Sequence, residues 1–312
     1  MELDAPILVT GASGLIGSAL TKKLTSDGFV NVKIPTHAQL DLTDNIAVEE
    51  YFEMTKPEYV VLAAGKVGGI LENVESPADF LTSNLSIQLN VIRSAAHYGV
   101  KRFIMYGSSC MYPKGLDIAM TEDLLLSGHP EPTSIAYAVA KLSGVHMCLA
   151  YNKQLGEQRF IPIIPNSVFG ANDDFSGVSG HVVSSLITRF HKASISGAEE
   201  VVIWGTGSPR REFVYADDVA DASVFLLKAD LTNIDLPINV GVGVDYTVTQ
   251  LAQIIAEIVG FGGSIIYDKS RPDGASRKLL NSAKLNTLGW VPKIDLREGL
   301  KRTYDWYLAS LH

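Results

Sequence analysis

Tyr137 and Lys141 stand four residues apart in Tyr137-Ala138-Val139-Ala140-Lys141, which places a phenol and an ammonium on one helix face. A free tyrosine has a pKa of about 10 and is a weak acid at neutrality. A neighbouring cation stabilises the phenolate and brings proton transfer into range. The pair then suits donation of a proton to a carbonyl oxygen as hydride arrives from a nicotinamide. A serine hydroxyl beside that oxygen completes such a site, and Ser108-Ser109 follows a short apolar run. Alone, a Tyr and a Lys at this spacing are more often a solvated helix face. The glycine motif changes that weighting.

Thr10-Gly11-Ala12-Ser13-Gly14-Leu15-Ile16-Gly17 follows an apolar run and opens a helix-period segment. Gly11 permits the tight turn, Gly14 lets the backbone approach a pyrophosphate, and Gly17 allows close packing of helix on strand. The pyrophosphate would sit on unpaired N–H groups at the positive helix end. Gly11, Ala12, Ser13, Gly14, Leu15, Ile16 and Gly17 are therefore assigned to a dinucleotide. An acid at the end of the second strand would hold the adenosine ribose hydroxyls and select NAD. Lys33-Ile34-Pro35-Thr36-His37 stands there, with no acid, so NADP is expected. Asp41 comes later, where it meets the adenine edge or, with Asp44, caps the next helix. Ala63, Ala64 and Gly65 are small residues against which a cofactor can lie.

The elements that must position these groups alternate. Apolar strand-like runs at 6–9, 32–34, 59–62, 102–106 and 160–164 are separated by helical segments at 15–24, 46–54, 78–98 and 137–154. That order implies right-handed crossovers and a parallel sheet covered on both faces. Ligands bind such sheets at the carboxyl ends of the strands, and each motif lies just after a predicted strand. Beyond about residue 170 the rhythm becomes irregular, with a Gly/Asp/Asn/Ser-rich loop at 170–180 and a strand at 201–204. Helices are expected from His181 and near 217–227, 249–259 and 296–308. The expected fold is α/β, a Rossmann-type doubly wound parallel sheet with a smaller C-terminal α/β substrate domain. Residues 1–170 would bind NADP and 171–312 mainly the substrate, with a segment near 205–245 (strand 238–242) returning to the sheet.

Of the 312 residues 46% are hydrophobic, enough for a large core. The net charge of −8 offers nothing to nucleic acid or an anionic membrane, so an anionic ligand needs a local cluster of Arg and Lys. No apolar stretch approaches the roughly 18–20 residues of a membrane span. Met1-Glu2-Leu3-Asp4 lacks the positive start of a secretion signal. Cys110 and Cys148 are too few for a disulfide framework, which fits a reducing cytoplasm and leaves Cys110 free for chemistry. No metal site is expected. By residue type alone, Cys110 is as readily a small buried residue and His181 a polar group at a helix start.

Five segments carry a resemblance. They are Ala64-Gly65-Lys66-Val67-Gly68-Gly69-Ile70, Gly107-Ser108-Ser109-Cys110-Met111-Tyr112-Pro113, Ala136 to Lys141, Gly180-His181-Val182 with Arg189-Phe190-His191, and Trp204-Gly205-Thr206-Gly207-Ser208-Pro209-Arg210-Arg211-Glu212-Phe213. Over essentially the whole chain the sequence resembles the GDP-L-fucose synthase family of extended short-chain dehydrogenase/reductases. The resemblance implies NADPH-dependent 3,5-epimerisation and 4-reduction of GDP-4-keto-6-deoxy-D-mannose by a cytoplasmic homodimer. It makes Ser108 the carbonyl-orienting serine, Tyr137 the proton donor, Lys141 its partner, Cys110 the base and His181 the acid of epimerisation. Tyr137, Lys141, Pro165 and His181 would also meet NADP. Arg189, Arg211 and Lys278 are cations for a nucleotide diphosphate, and Trp204 a contact to sugar or base.

Three positions depart from the family pattern. Lys33 and His37 stand in place of an Arg, Pro165-Asn166-Ser167 in place of Pro-Thr-Asn, and Asn281 in place of Asp. The middle change leaves room for another GDP-linked keto-sugar, a dideoxyhexose or heptose, reduced at C4 with or without epimerisation. A catalytically silent NADP-binding regulator is the rival of a different class, and intact Ser108, Tyr137 and Lys141 argue against it. Helices 78–98 and 137–154 are expected to form the dimer contact.

Overall fold

In the computed structural model the chain begins β1 (Ile7–Thr10), α1 (Leu15–Ser26), β2 (Val32–Lys33), α2 (Asn45–Thr55), β3 (Tyr59–Leu62), α3 (Ile70–Glu75) and α4 (Pro77–His97). It continues β4 (Arg102–Tyr106), β5 (Ala119–Met120), α5 (Ile135–Leu155), β6 (Phe160–Pro165), β7 (Val168–Phe169), α6 (Val182–Ser196) and β8 (Glu200–Trp204). Then come β9 (Arg210–Glu212), β10 (Val214–Tyr215), α7 (Ala216–Lys228), β11 (Ile238–Val240), β12 (Asp245–Thr247) and α8 (Val248–Val259). The chain ends with β13 (Ser264–Asp268), β14 (Arg277–Leu280), α9 (Ala283–Thr287) and α10 (Leu296–Ser310). Residues 1–176, 181–271 and 273–311 are described, except for the side chain of Ile70.

Six strands pair in the order β11-β6-β4-β3-β1-β2, every pair parallel. The direction of winding reverses between β1 and β3, which opens a crevice at their carboxyl ends. Alternate residues of each strand feed opposite faces. Ile7, Val9, Val61, Ile104 and Ile163 pack with Leu20 and Leu24 of α1 and Val219 of α7. Leu8, Val60, Leu62, Phe103 and Met105 pack with Phe52 of α2, Ile92 of α4 and Val145 of α5. Burial on both faces is why these strands read as unbroken apolar runs. β11 forms one edge of the sheet, pairing with β6.

Helix ends follow local chemistry. The Asp44 carboxylate accepts from Ile46 N at 2.9 Å and Ala47 N at 3.2 Å and so caps α2. α5 stops at Gly156, which takes the left-handed conformation at φ 73°. In the second half, Phe190 of α6, Leu251 and Ile255 of α8 and Leu300 of α10 build a separate core beneath β8 and β13. A four-stranded sheet, β12-β9-β14-β5, joins the two halves beside the ends of β4 and β6. Its short, charged strands gave no apolar pattern to read.

Candidate active site

The turn after β1 presses on the residues after β3. Gly11 lies at φ 71°, and a Cβ there would stand 2.7 Å from Ala64 N. A Cβ on Gly17 would run into the Gly11 carbonyl oxygen. No side chain among the described residues caps α1 at Gly14, so its first N–H groups remain available to an anion. Thr10 Oγ1, beneath the turn, is buried without a partner among the described residues. A backbone cradle that excludes Cβ atoms and ends on an uncapped helix fits a dinucleotide pyrophosphate. Ala63, Ala64 and Gly65 lie half-buried beside it, and Lys33 and His37 are exposed beyond β2. Asp41 accepts from Thr43 N at 2.8 Å and Thr43 Oγ1 at 2.7 Å, bonds that hold its carboxyl below the usual range.

Tyr137 and Lys141 project from the first turns of α5. The Lys141 ammonium, buried, donates to Tyr106 O at 3.0 Å and stands 5.9 Å from the Tyr137 ring centroid. Burial lowers its pKa to about 8. A Cβ on Gly65 would lie 3.4 Å from the same ammonium, so the small residues after β3 adjoin Lys141. Tyr137 differs from the sequence expectation. Burial, reinforced by the charge of Cys110, pushes the phenol above its ordinary value, against the pull of a Ser108 hydrogen bond. One donor of the ammonium goes to a backbone carbonyl, and burial favours the neutral phenol. Neutral phenol is the form that gives up a proton.

Ser108 also meets Cys110. Its Oγ accepts from Cys110 N at 3.2 Å, which caps the short turn Ser109–Met111. Burial would raise the Cys110 thiol, but the Lys278 ammonium and hydrogen bonds with Ser108, Lys278 and Ser134 outweigh it and hold the pKa below the ordinary thiol value. His181, the residue before α6, meets Asp173 Oδ1 through Nδ1 at 2.9 Å. That bond outweighs burial and raises the imidazole pKa, and the charges of Asp173 and Cys110 add to it. With Nδ1 engaged, Nε2 is the nitrogen left for chemistry. Gly180, quoted beside His181, lies outside the described residues.

The cations divide. Lys278 reaches the Cys110 sulfur at 3.5 Å. Arg211, half-buried, donates to Arg210 O at 2.7 Å and feels the Cys110 charge. Arg189 is half-buried on α6 without an ion-pair partner among the described residues, and no contact joins it to Cys110. Trp204 is 65% exposed, with the Arg271 guanidinium 5.1 Å from its ring, apart from the cluster. Pro165 ends β6 and is buried.

Four residues here make contacts that the sequence did not assign to them. Asp173 orients His181. Asn84 accepts from Lys66 N at 3.1 Å and donates to Lys66 O at 2.9 Å, clamping the loop after β3. Asn166 donates to Glu212 Oε2 at 2.8 Å and to Lys278 O at 3.2 Å. Glu212 also accepts from Val242 N and Gly243 N, each at 2.7 Å, and from Leu280 N at 3.0 Å. A polar residue on the buried stripe of α4 was the available signal for Asn84. Glu212, beside two arginines, gave none.

Residues 7–241 match the model of the NAD dependent epimerase/dehydratase family. GDP-L-fucose synthase 1 of Arabidopsis thaliana is 49% identical over 310 residues, 99% of this chain and 95% of that protein. A solved GDP-6-OMe-4-keto-L-xylo-heptose reductase from C. jejuni superposes with a TM-score of 0.94 at 32% identity, covering 99% of both chains. A GDP-L-fucose synthetase from Naegleria fowleri bound to NADP gives a TM-score of 0.89 at 27% identity, covering 100% of this chain and 96% of that one. The cradle after β1, the Ser-Tyr-Lys group and a match over more than half its length make this chain a member of the NAD dependent epimerase/dehydratase family.

Proposed function

We propose that this enzyme converts GDP-4-keto-6-deoxy-D-mannose to GDP-L-fucose by epimerisation at C3 and C5 followed by reduction at C4 with NADPH. One observation carries the reading: Ser108 Oγ accepts from Cys110 N at 3.2 Å, and both Ser108 and Cys110 stand near enough to Tyr137 to act on its phenol. The proposed proton donor and the proposed base thus stand on either side of one serine. The likeness to a plant GDP-L-fucose synthase over 99% of the chain supports the choice of sugar.

A C4 ketone acidifies the hydrogens on its neighbours. The Cys110 thiolate takes a proton from C3 or C5, and Ser108 and Tyr137 hold the C4 oxygen as charge develops there. His181, whose imidazole Asp173 biases toward its protonated form, returns a proton to the opposite face; the thiol and imidazole then exchange protons with solvent before the second centre inverts. NADPH, when bound, supplies the hydride for C4. Gly11, Gly14, Gly17 and the first turn of α1 would hold its pyrophosphate, with Ala63 to Gly65 along its length. Tyr137 then gives its proton to the oxygen, and Lys141 stabilises the phenolate left behind. Arg211 and Arg189 are assigned to the nucleotide diphosphate. Residues 1–170 with the returning segment form the cofactor half, and 171–312 mainly the sugar half, of a cytoplasmic homodimer.

The 0.94 TM-score to a heptose reductase favours a second reading, C4 reduction of a GDP-linked keto-heptose. NADPH consumption measured with each sugar separates the two. A higher kcat/KM for the deoxymannose derivative, with GDP-L-fucose identified by NMR, is expected. Turnover of the heptose alone would establish the second reading, and NADPH binding with neither consumed would mark a silent protein.

A further inference from the structure

Charged and titratable groups face Cys110 from several elements. Lys278 approaches from β14, with Nζ 3.5 Å from Sγ. Tyr137 of α5, Arg211 of β9 and His181 before α6 all feel its charge. Lys114, Glu131 and Arg277 line a small cavity that Cys110 shares. Most of the nearby cations are engaged elsewhere. Arg277 Nε donates to Asp245 Oδ2 at 2.6 Å, His181 pairs with Asp173 at 2.9 Å, and Arg211 donates to the Arg210 carbonyl at 2.7 Å. Lys278 has no carboxylate partner among the described residues, and its ammonium donates to the sulfur.

The backbone beneath that lysine is fixed from both sides. Arg277 and Lys278 pair in parallel with Arg210 and Arg211. The Lys278 carbonyl accepts from Asn166 at 3.2 Å, and Leu280 N donates to Glu212 at 3.0 Å. Asn166 and Glu212 are each 0% exposed and bonded to one another. A buried amide–carboxylate pair at the end of the central sheet therefore decides where the ammonium stands.

We propose that Lys278 is the counter-ion of the Cys110 thiolate, a positioning residue through which β14 makes this sulfur a base. The proposal rests on the reading of Cys110 as the base of epimerisation. An ammonium in contact favours the charged form of sulfur, while burial disfavours it. Remove the ammonium and only the Ser108 and Ser134 hydroxyls remain to oppose burial, so the thiol keeps its proton to higher pH. A lysine that served only to bind phosphate would leave the sulfur unchanged and alter only the KM for the nucleotide sugar.

Alkylation of Cys110 by iodoacetamide across pH tests this without any sugar chemistry. Cys148 is 0% exposed, and Cys110→Ala fixes the background rate. In the intact protein, with and without NADPH, Lys278→Met is expected to react about tenfold or more slowly at pH 7, which is the thiolate lost when a pKa rises by one unit. Its half-maximal rate should move to higher pH. Lys278→Arg keeps the charge and should keep most of the reactivity. Thiolate ultraviolet absorbance, titrated in parallel, reads the same ionisation independently of reagent access. A Lys278→Met profile that matches wild type, or Lys278→Arg as slow as Lys278→Met, overturns the proposal. A wild type with the low-pH profile but no proton exchange at C3 and C5 would instead sink the base role and leave the ion pair standing.

Discussion

Burial favours the protonated phenol at Tyr137, and on the proposed role as proton donor its loss should act on the chemical step. Tyr137→Phe is expected to lower the reduction rate by about 10²–10⁴-fold, the usual contribution of a general acid, while NADPH binding persists in a fluorescence titration. A variant that kept most of its kcat would place the donor elsewhere. His181 carries a raised pKa, first because of its hydrogen bond to Asp173. The acid form is therefore present below that pKa and lost as pH rises through it. Asp173→Asn removes the anion, so the alkaline limb of the pH profile for epimerised product should move to lower pH. A limb that stays in place would separate Asp173 from the acid. Tyr137, Lys141 and Ser108 stood out as candidates because their types and spacing point to one chemistry. Cys110 and His181 became readable only through resemblance, since a thiol and an imidazole serve equally well as packing. Asp173 was hidden because its meaning comes from a contact with His181 across a loop.

Helix α1 works by lying close to the turn that precedes it. Gly17→Ala would drive a methyl group into the Gly11 carbonyl, and overpacking of this kind costs about 1–3 kcal/mol. A lower melting temperature and weakened NADPH binding are expected together; unchanged affinity would mean that the cradle is not the cofactor site. Asp44→Ala is the contrast. It removes a helix cap worth about 1 kcal/mol, so the urea midpoint should fall while kcat stays put. The long helices and the central strands could be read from the sequence because periodicity and unbroken apolar runs extend over whole elements. The sheet that carries Lys278 could not. β14 pairs with β5 across the chain, Leu280 with Met120, and its neighbour β9 reads Arg210-Arg211-Glu212. Glu212 is buried there because four donors surround it, a pattern that exists only after folding.

For the molecule as a whole, the exposed apolar side chains Leu89 on α4 and Val139 on α5, 47% and 43% accessible, support a helix-to-helix contact between two copies. Light scattering should return a dimer mass at micromolar protein, and a monomer mass would remove that contact. The absence of a carboxylate between Lys33 and His37 leads to a higher kcat/KM with NADPH than with NADH, and equal values would contradict it. On the proposed mechanism, one site inverts two carbons before it reduces a third. Its most direct test is a single turnover of GDP-4-keto-6-deoxy-D-mannose with NADPH in deuterium oxide, read by NMR of the product. GDP-L-fucose with deuterium at both C3 and C5 is expected; a reduced sugar with its original hydrogens and configuration at those carbons would contradict it.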